Sequence, residues 1–490
     1  SWTFRKAEKF FDVVTWTGNA TAGREIAHNL GSVPGVMIVK AVSGTYSGSA
    51  WTIYHKDLTA TDILEFDTGA TKTRLYAWND TTPTDSVFTV GSGSETNGGS
   101  TDYVAYLFAS DAGGFGDDGT ENIIKCGSLT TDGSGLGTID LGFEPQYMLM
   151  KRADVIQNWY IWDTMRGWTV SGETNGLVPN DSSAEVNYSG GTDYFHPTAT
   201  GVEFVSNFFG ANANLIYIAI RRPMKTPESG TEVFAPISLG TTTEPGFISN
   251  FVTDFVLHNT VDETGSTQVS SRLTGNGYML ADSTGTGGSI SAVQWDFMDG
   301  SRVGNGTANA DEIQWMFKRA TGFMDVVAYT GNTTARTITH NLGVAPELLI
   351  VKNRTSNNGN QNWQVYNSTL GASARLQLNT SDGVFTGTFL WNYTAPTSSV
   401  FSLSTSAMVN GSGDTYIAYL FATLAGVSKV GTYTGTGADL NVDCGFTGGA
   451  RFILIKRTDS TGDWYVYDSL RGISAGNDPY FFLNSTAAQV

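Results

Sequence analysis

Two histidines stand at the same point of a duplicated phrase, His28 in AHNLG and His340 in THNLG. A histidine can move a proton near neutral pH, but only beside a positioned partner. Each of these precedes a turn-forming Asn-Leu-Gly, so a structural role is the stronger reading. A second recurring set is Asp-x-x-Arg-Gly, Asp163 with Arg166 and Asp468 with Arg471. Such a pair can hold a sugar hydroxyl or lock a turn, and recurrence in an equivalent loop favours the lock. The stretch DAGGFGDDGTEN, residues 111–122, sets Asp117 beside Asp118. Their oxygens suit calcium, yet the spacing fits no EF-hand loop, and an acidic linker is the expectation. Trp16, Trp51, Trp78, Trp159, Trp162 and Trp168 could stack on sugar rings; aromatics on strands are more often packed into a sheet. No nucleophile elbow, zinc-protease helix, P-loop or dinucleotide fingerprint occurs. The residues therefore point to no catalytic centre, no metal site and no cofactor.

Composition narrows the partners. Acidic residues outnumber basic ones 46 to 28, a net charge of -18, which repels phosphate backbones and argues against nucleic acid. Charged residues make up only 15% of the chain while glycine fills 58 positions, so the surface is polar but largely uncharged. The two cysteines, Cys126 and Cys444, occupy non-equivalent places and imply no disulfide framework. The longest apolar runs, such as FILI at residues 452–455, are of strand length, and no membrane insertion is expected.

Self-similarity sets the organisation. Asp12-Val13-Val14 recurs as Asp325-Val326-Val327, and the segment around Tyr103 recurs around Tyr416, both 313 residues on. Within that long period lies a shorter one, since the strand ending at Lys40 reads against the strand ending at Lys151. A tryptophan-bearing strand follows each such lysine, around Trp51, Trp159, Trp363 and Trp464. The expected domains are a closing strand of a preceding unit at 1–9, unit A at 10–122, unit B at 123–226, a divergent unit C at 227–320, A again at 321–427 and a truncated B at 428–490. RRPMKTPESG, residues 221–230, is the clearest boundary.

Short runs rich in Val, Ile, Tyr, Phe and Trp, broken by Gly, Asn, Asp and Pro, predict strands, and helical periodicity is nearly absent. Roughly seven such runs per unit of about 100 residues, some alternating, predict an all-β chain. It reads as a tandem array of antiparallel β-sandwich, jelly-roll-like units in the order A-B-C-A-B, partial at both ends. Each sandwich is expected to bury its own core, as beads on a string.

The phrases DVVTWTGNATAGREIAHNLGSVPGVMIVK (12–40), DVVAYTGNTTARTITHNLGVAPELLIVKNR (325–354), FILIKRTDSTGDWYVYDSLRG (452–472) and RRPMKTPESGTEVF (221–234) carry a resemblance. The chain resembles a family of tandem β-repeat virion proteins, tail or tail-fibre, of tailed bacteriophages. The resemblance implies a non-enzymatic structural protein, extracellular on the virion, that contributes reach and host-surface attachment. Its expected partners are other virion proteins, further copies of itself in a homo-oligomer, and a host glycan or protein receptor. Two alternatives stand beside this: a capsid decoration or head-fibre protein, and a fibre-borne glycan depolymerase or cell-surface adhesin. Unit C follows the common pattern poorly, so a special binding face is expected there, near Trp295 or Asp296.

Overall fold

The computed structural model describes residues 1–67, 69–170, 174–188, 194–238, 244–289, 293–302, 311–355, 361–473 and 478–490. In the first repeat, eight strands run β1 (Phe11–Thr17), β2 (Arg24–Ala27), β3 (Val36–Ala41), β4 (Thr52–His55), β5 (Asp62–Glu65), β6 (Lys72–Thr73), β7 (Val87–Val90) and β8 (Asp102–Phe108). Six form one antiparallel sheet in the order β1-β8-β3-β4-β5-β6, and β2 pairs with β7 separately. The second repeat repeats this order from Ile124–Thr130 to Asn214–Arg221, its seventh position being a short hairpin. The fourth repeats it from Met324–Thr330 to Thr415–Phe421. Unit C, divergent in sequence, has it too, from Phe234–Ser238 to Glu312–Phe317. The chain is all-β, with antiparallel sheets in the same arrangement four times and part of a fifth.

Each six-stranded sheet covers a core of its own with the smaller sheet, which has two strands or, in the second repeat, three. In the fourth repeat this core joins Ile338, Leu349, Val351, Phe401, Leu403, Tyr416, Ala418 and Leu420. Side chains alternate along a strand, so Ile417 and Tyr419 of the same eighth strand point the other way. They are buried as well, at 0% and 1% exposure. They join a second core with Phe255, Leu257 and Trp315 of unit C and Val466 and Phe481 of the fifth repeat.

The expected string of beads is therefore corrected. Apart from the part-exposed face at Trp51 and Tyr106 of the first repeat, the sheets bury both faces, one within the sandwich and one against other repeats, and this is why strands three and eight read as unbroken apolar runs. By contacts the chain divides into two compact units. The first is Ser1–Trp168 with Gly172–Arg222, and the second is Pro223–Val490 with Thr169–Ser171. The division falls at the proline-marked boundary. We call the two units the first and second modules.

Two edges depart from expectation. Residues 1–6 form no strand, although their counterparts Glu312–Phe317 do. An eighth strand lies between the first and third strands of its own sandwich, and residues 1–6 pair with neither kind of strand. In the fifth repeat, among the described residues, only Phe452–Lys456, Trp464–Asp468 and Phe481–Phe482 form a sheet. These are the third, fourth and fifth positions, which pair with one another, whereas the first two positions pair only with the eighth and seventh.

Candidate functional site

The histidines are fully engaged. His28 is 6% exposed; its Nδ1 accepts from the Leu30 amide at 3.3 Å, and its Nε2 faces the Thr84 carbonyl at 3.3 Å. His340 makes the equivalent pair with Leu342 and Thr397, at 3.3 and 3.2 Å. These partners require a neutral ring protonated at Nε2, and burial pushes both pKa values down, which keeps the rings neutral. Asp12 and Asp325, from the duplicated Asp-Val-Val, hold the same turn by accepting the Asn29 and Asn341 amides at 2.8 Å each. Gly31 and Gly343 close it at φ 68° and 77°, a backbone region that glycine enters without cost. The turn uses the whole imidazole.

The Asp-x-x-Arg pairs are turn locks with a second task. Asp468 Oδ1 accepts the Leu470 and Arg471 amides at 3.0 Å each, and Oδ2 meets Arg471 Nε at 2.6 Å. Oδ2 also accepts Trp315 Nε1 of unit C at 3.0 Å, and the Arg471 guanidinium lies 5.5 Å from that ring centre. In the first module Asp163 takes Trp2 Nε1 at 3.2 Å, with Arg166 4.9 Å from the Trp2 ring. A local salt bridge thus holds a repeat-to-repeat junction.

A second junction emerges at the lysines that mark the repeat register. Lys352, 0% exposed, directs Nζ at the carbonyls of Ser283, Thr284 and Gln361, at 3.2, 3.0 and 2.6 Å. Two of these carbonyls belong to unit C. The ammonium stands 5.5 Å from the centre of the Trp363 ring, whose Nε1 donates to the Leu280 carbonyl of unit C at 3.0 Å. Burial pushes the Lys352 pKa down to about 8, against the pull of the carbonyl oxygens toward the charged form.

The motif is repeated. Trp464 Nε1 donates to the Gln377 carbonyl of the fourth repeat, and Trp159 Nε1 to the Glu65 carbonyl of the first. Lys456 and Lys151 bond the carbonyls of Gly462 and Gln157. Every carbonyl that accepts from these tryptophans closes the fifth strand of the repeat before. In unit C the lysine is replaced by Asn259, whose side-chain amide bonds Thr267 Oγ1 at 2.8 Å. The signal in the sequence was a lysine at the end of an apolar strand, followed in each case by tryptophan.

The remaining candidates resolve plainly. Residues 111–122 fold back on themselves, Gly114 bonding Gly119 and Phe115 pairing with Glu121. Asp118 accepts the backbone and hydroxyl of Thr120. No group of three or more His, Cys, Asp or Glu side chains able to hold a metal occurs among the described residues. Trp16, Trp78, Trp159, Trp162 and Trp168 are buried, and Trp51 is 38% exposed. Trp295 is buried too, donating to the Gly275 carbonyl at 2.7 Å under the Arg272 guanidinium, so it offers no outer face; Asp296 is exposed. Cys126 and Cys444 are free thiols.

Two buried histidines were not singled out by sequence reasoning. His55 bonds the Tyr217 carbonyl and the Asp57 amide, beside a cavity of about 10 Å³ lined by Ile53, Leu149 and Trp159. His258 lies between Gln268 and Gln314 in the sheet of unit C, and burial drives its pKa down to about 4. Neither had a motif to mark it.

The fold and its junctions define an all-β tandem-repeat protein in which conspicuous polar side chains tie one repeat to the next. The chain belongs to the family described as Domain of unknown function (DUF7483), whose model matches residues 5–221 and 252–489. The two matched stretches correspond to the two modules. No curated protein matches the chain.

Proposed function

We propose that this chain is a non-enzymatic structural protein of a phage virion, a component of a tail fibre or tail appendage that supplies reach and bears on host attachment. What supports the reading is the use made of the chemically capable side chains. His28, His340, Asp163, Asp468, Lys352 and Trp315 are occupied in turns and in contacts between repeats. A chain built this way gains size by adding repeats with ready-made junctions. A polar, weakly charged surface suits exposure outside the cell and many weak contacts with a host glycan or protein. Other virion proteins and further copies of the chain are its proposed partners.

Immunogold electron microscopy of intact particles, with antibody raised against these 490 residues, tests the proposal. Gold along tail appendages is the expected result, followed by reduced adsorption when the antibody is present. Gold over the head would replace it with capsid decoration, and particles without gold would leave a cell-surface adhesin as the better account.

A further inference from the structure

The two modules provide an internal comparison. In the second, the outer sheet face of the fourth repeat is covered by unit C: Trp363 is 1% exposed and Tyr419 1%, and Lys352 is fully buried. The covering groups are the Phe255 ring, 4.5 Å from Tyr419, and the carbonyls of Leu280, Ser283 and Thr284. In the first module the same constellation exists at Lys40, Trp51 and Tyr106. Trp51 lies 6.1 Å from Tyr106, as Trp363 lies 6.3 Å from Tyr419. Lys40 Nζ stands 5.9 Å from the Trp51 ring centre, as Lys352 stands 5.5 Å from Trp363. Yet Trp51 is 38% exposed, and Lys40 and Tyr106 are only partly buried.

We propose that this face of the first repeat is a docking surface for a C-type sandwich, of the kind formed by residues 227–320, joined in cis ahead of Trp2. The proposal stands apart from any role on a virion. Its partner is identified by what the face needs: a carbonyl oxygen for the Trp51 indole, further carbonyls for the Lys40 ammonium, which already bonds that of Ser49, and an aromatic ring over Tyr106. Unit C supplies each of these at the matching positions of the second module. The B-type repeat does not compete for the face, because it already meets the first repeat elsewhere, through Trp159 on the Glu65 carbonyl and stacked on Phe66 at 4.9 Å. The junction is also already begun. Trp2 stands on Asp163 as Trp315 of the C-type eighth strand stands on Asp468. Phe4 meets Phe108 at 5.7 Å as Phe317 meets Phe421 at 6.0 Å. The segment from Trp2 therefore follows the path of a C-type closing strand, and a sandwich continuous with it reaches the Trp51 face.

Hydroxyl-radical footprinting read by mass spectrometry tests this on the chain as it stands and on an extended chain carrying residues 223–314 ahead of Trp2. In the unextended chain Trp51 is expected to be labelled several-fold faster than Trp363. In the extended chain its rate should fall to that of Trp363, and Trp51→Asp in that chain should leave the added copy of Phe255 open to labelling. Trp51 labelled equally fast in both chains overturns the proposal. So does an added sandwich whose own Trp295 copy is labelled as in an unfolded chain, because the docking face should help complete it. Protection of Trp51 in the unextended chain that grows with concentration, together with a dimer in sedimentation, would overturn closure in cis in favour of a second copy.

Discussion

Asp468 carries four hydrogen bonds on two oxygens, and the two oxygens have different jobs. Oδ1 fixes the turn; Oδ2 neutralises Arg471 and seats the Trp315 indole of another repeat. The carboxylate is 0% exposed, so removing one partner leaves a buried charge or donor uncompensated. Asp468→Ala is expected to cost about 3 kcal/mol in the stability of the second module. A double-mutant cycle with Trp315→Phe, followed by urea unfolding, should show coupling of about 1 kcal/mol or more; strict additivity would mean that the indole contact contributes nothing. Lys352 makes a prediction in pH. Its pKa is about 8 when folded and the ordinary 10.5 when unfolded, so the unfolded chain holds more protons between those values. The cost of burying the ammonium is present in full below pH 8, and stability rises as the pH climbs from about 8 toward 10.5. Above about pH 10 the buried Tyr329 and Tyr419, whose pKa values burial raises, pull the other way. The melting temperature of the second module should therefore increase between about pH 7.5 and 9.5, and Lys352→Met should reduce that slope.

Strands form where their partners exist, and the fifth repeat separates this rule from local propensity. Residues 430–443 have the composition of first and second strands, yet they make no ladder and are mostly exposed. Phe452–Lys456 and Trp464–Asp468, whose mutual pairing needs no later strand, are formed. Amide exchange followed by mass spectrometry should find residues 430–450 exchanging at nearly the unprotected rate while Trp464–Asp468 is slow; protection across 430–450 would refute this pairing account. The same contrast explains what the sequence could tell. The strands and the repeat register are local or periodic properties, and they were legible. So was the structural role of His28, since Asn-Leu-Gly beside it signals a turn; its companion Asp12, sixteen residues earlier, was not. The common topology of unit C was obscured because asparagine, histidine and glutamine take sheet positions that are lysine or apolar elsewhere. The second core was missed for another reason. Alternation in some runs was read as a sandwich that buries one core of its own, whereas the apolar runs of strands three and eight recorded burial on both sides. Which surface covers that second face depends on contacts between residues far apart in the chain, 69 for Lys352 with Ser283 and 153 for Trp315 with Asp468, and no local pattern encodes them.

At the level of the whole molecule, the shared core changes what counts as the cooperative unit. If each sandwich were self-sufficient, heating would unfold the repeats one by one, with junctions contributing little. Instead, unit C, the fourth repeat and the partial fifth meet in one apolar cluster that includes Trp315, Trp363 and Trp464. Losing any one of the three strips the outer sheet face of the other two, so their unfolding is coupled. The first module has its own cluster, drawn from both of its repeats, including Ile53, Leu149, Trp159 and Ile216. Calorimetry should accordingly resolve two cooperative transitions, one for each module, rather than one for each repeat. Truncating a buried tryptophan costs about 3–5 kcal/mol, so Trp363→Ala should lower the second module's transition and leave the other in place. If that variant instead released a single repeat of about 100 residues, with the rest of the module melting as before, the sandwiches would be independent after all and the outer core a late, weak association.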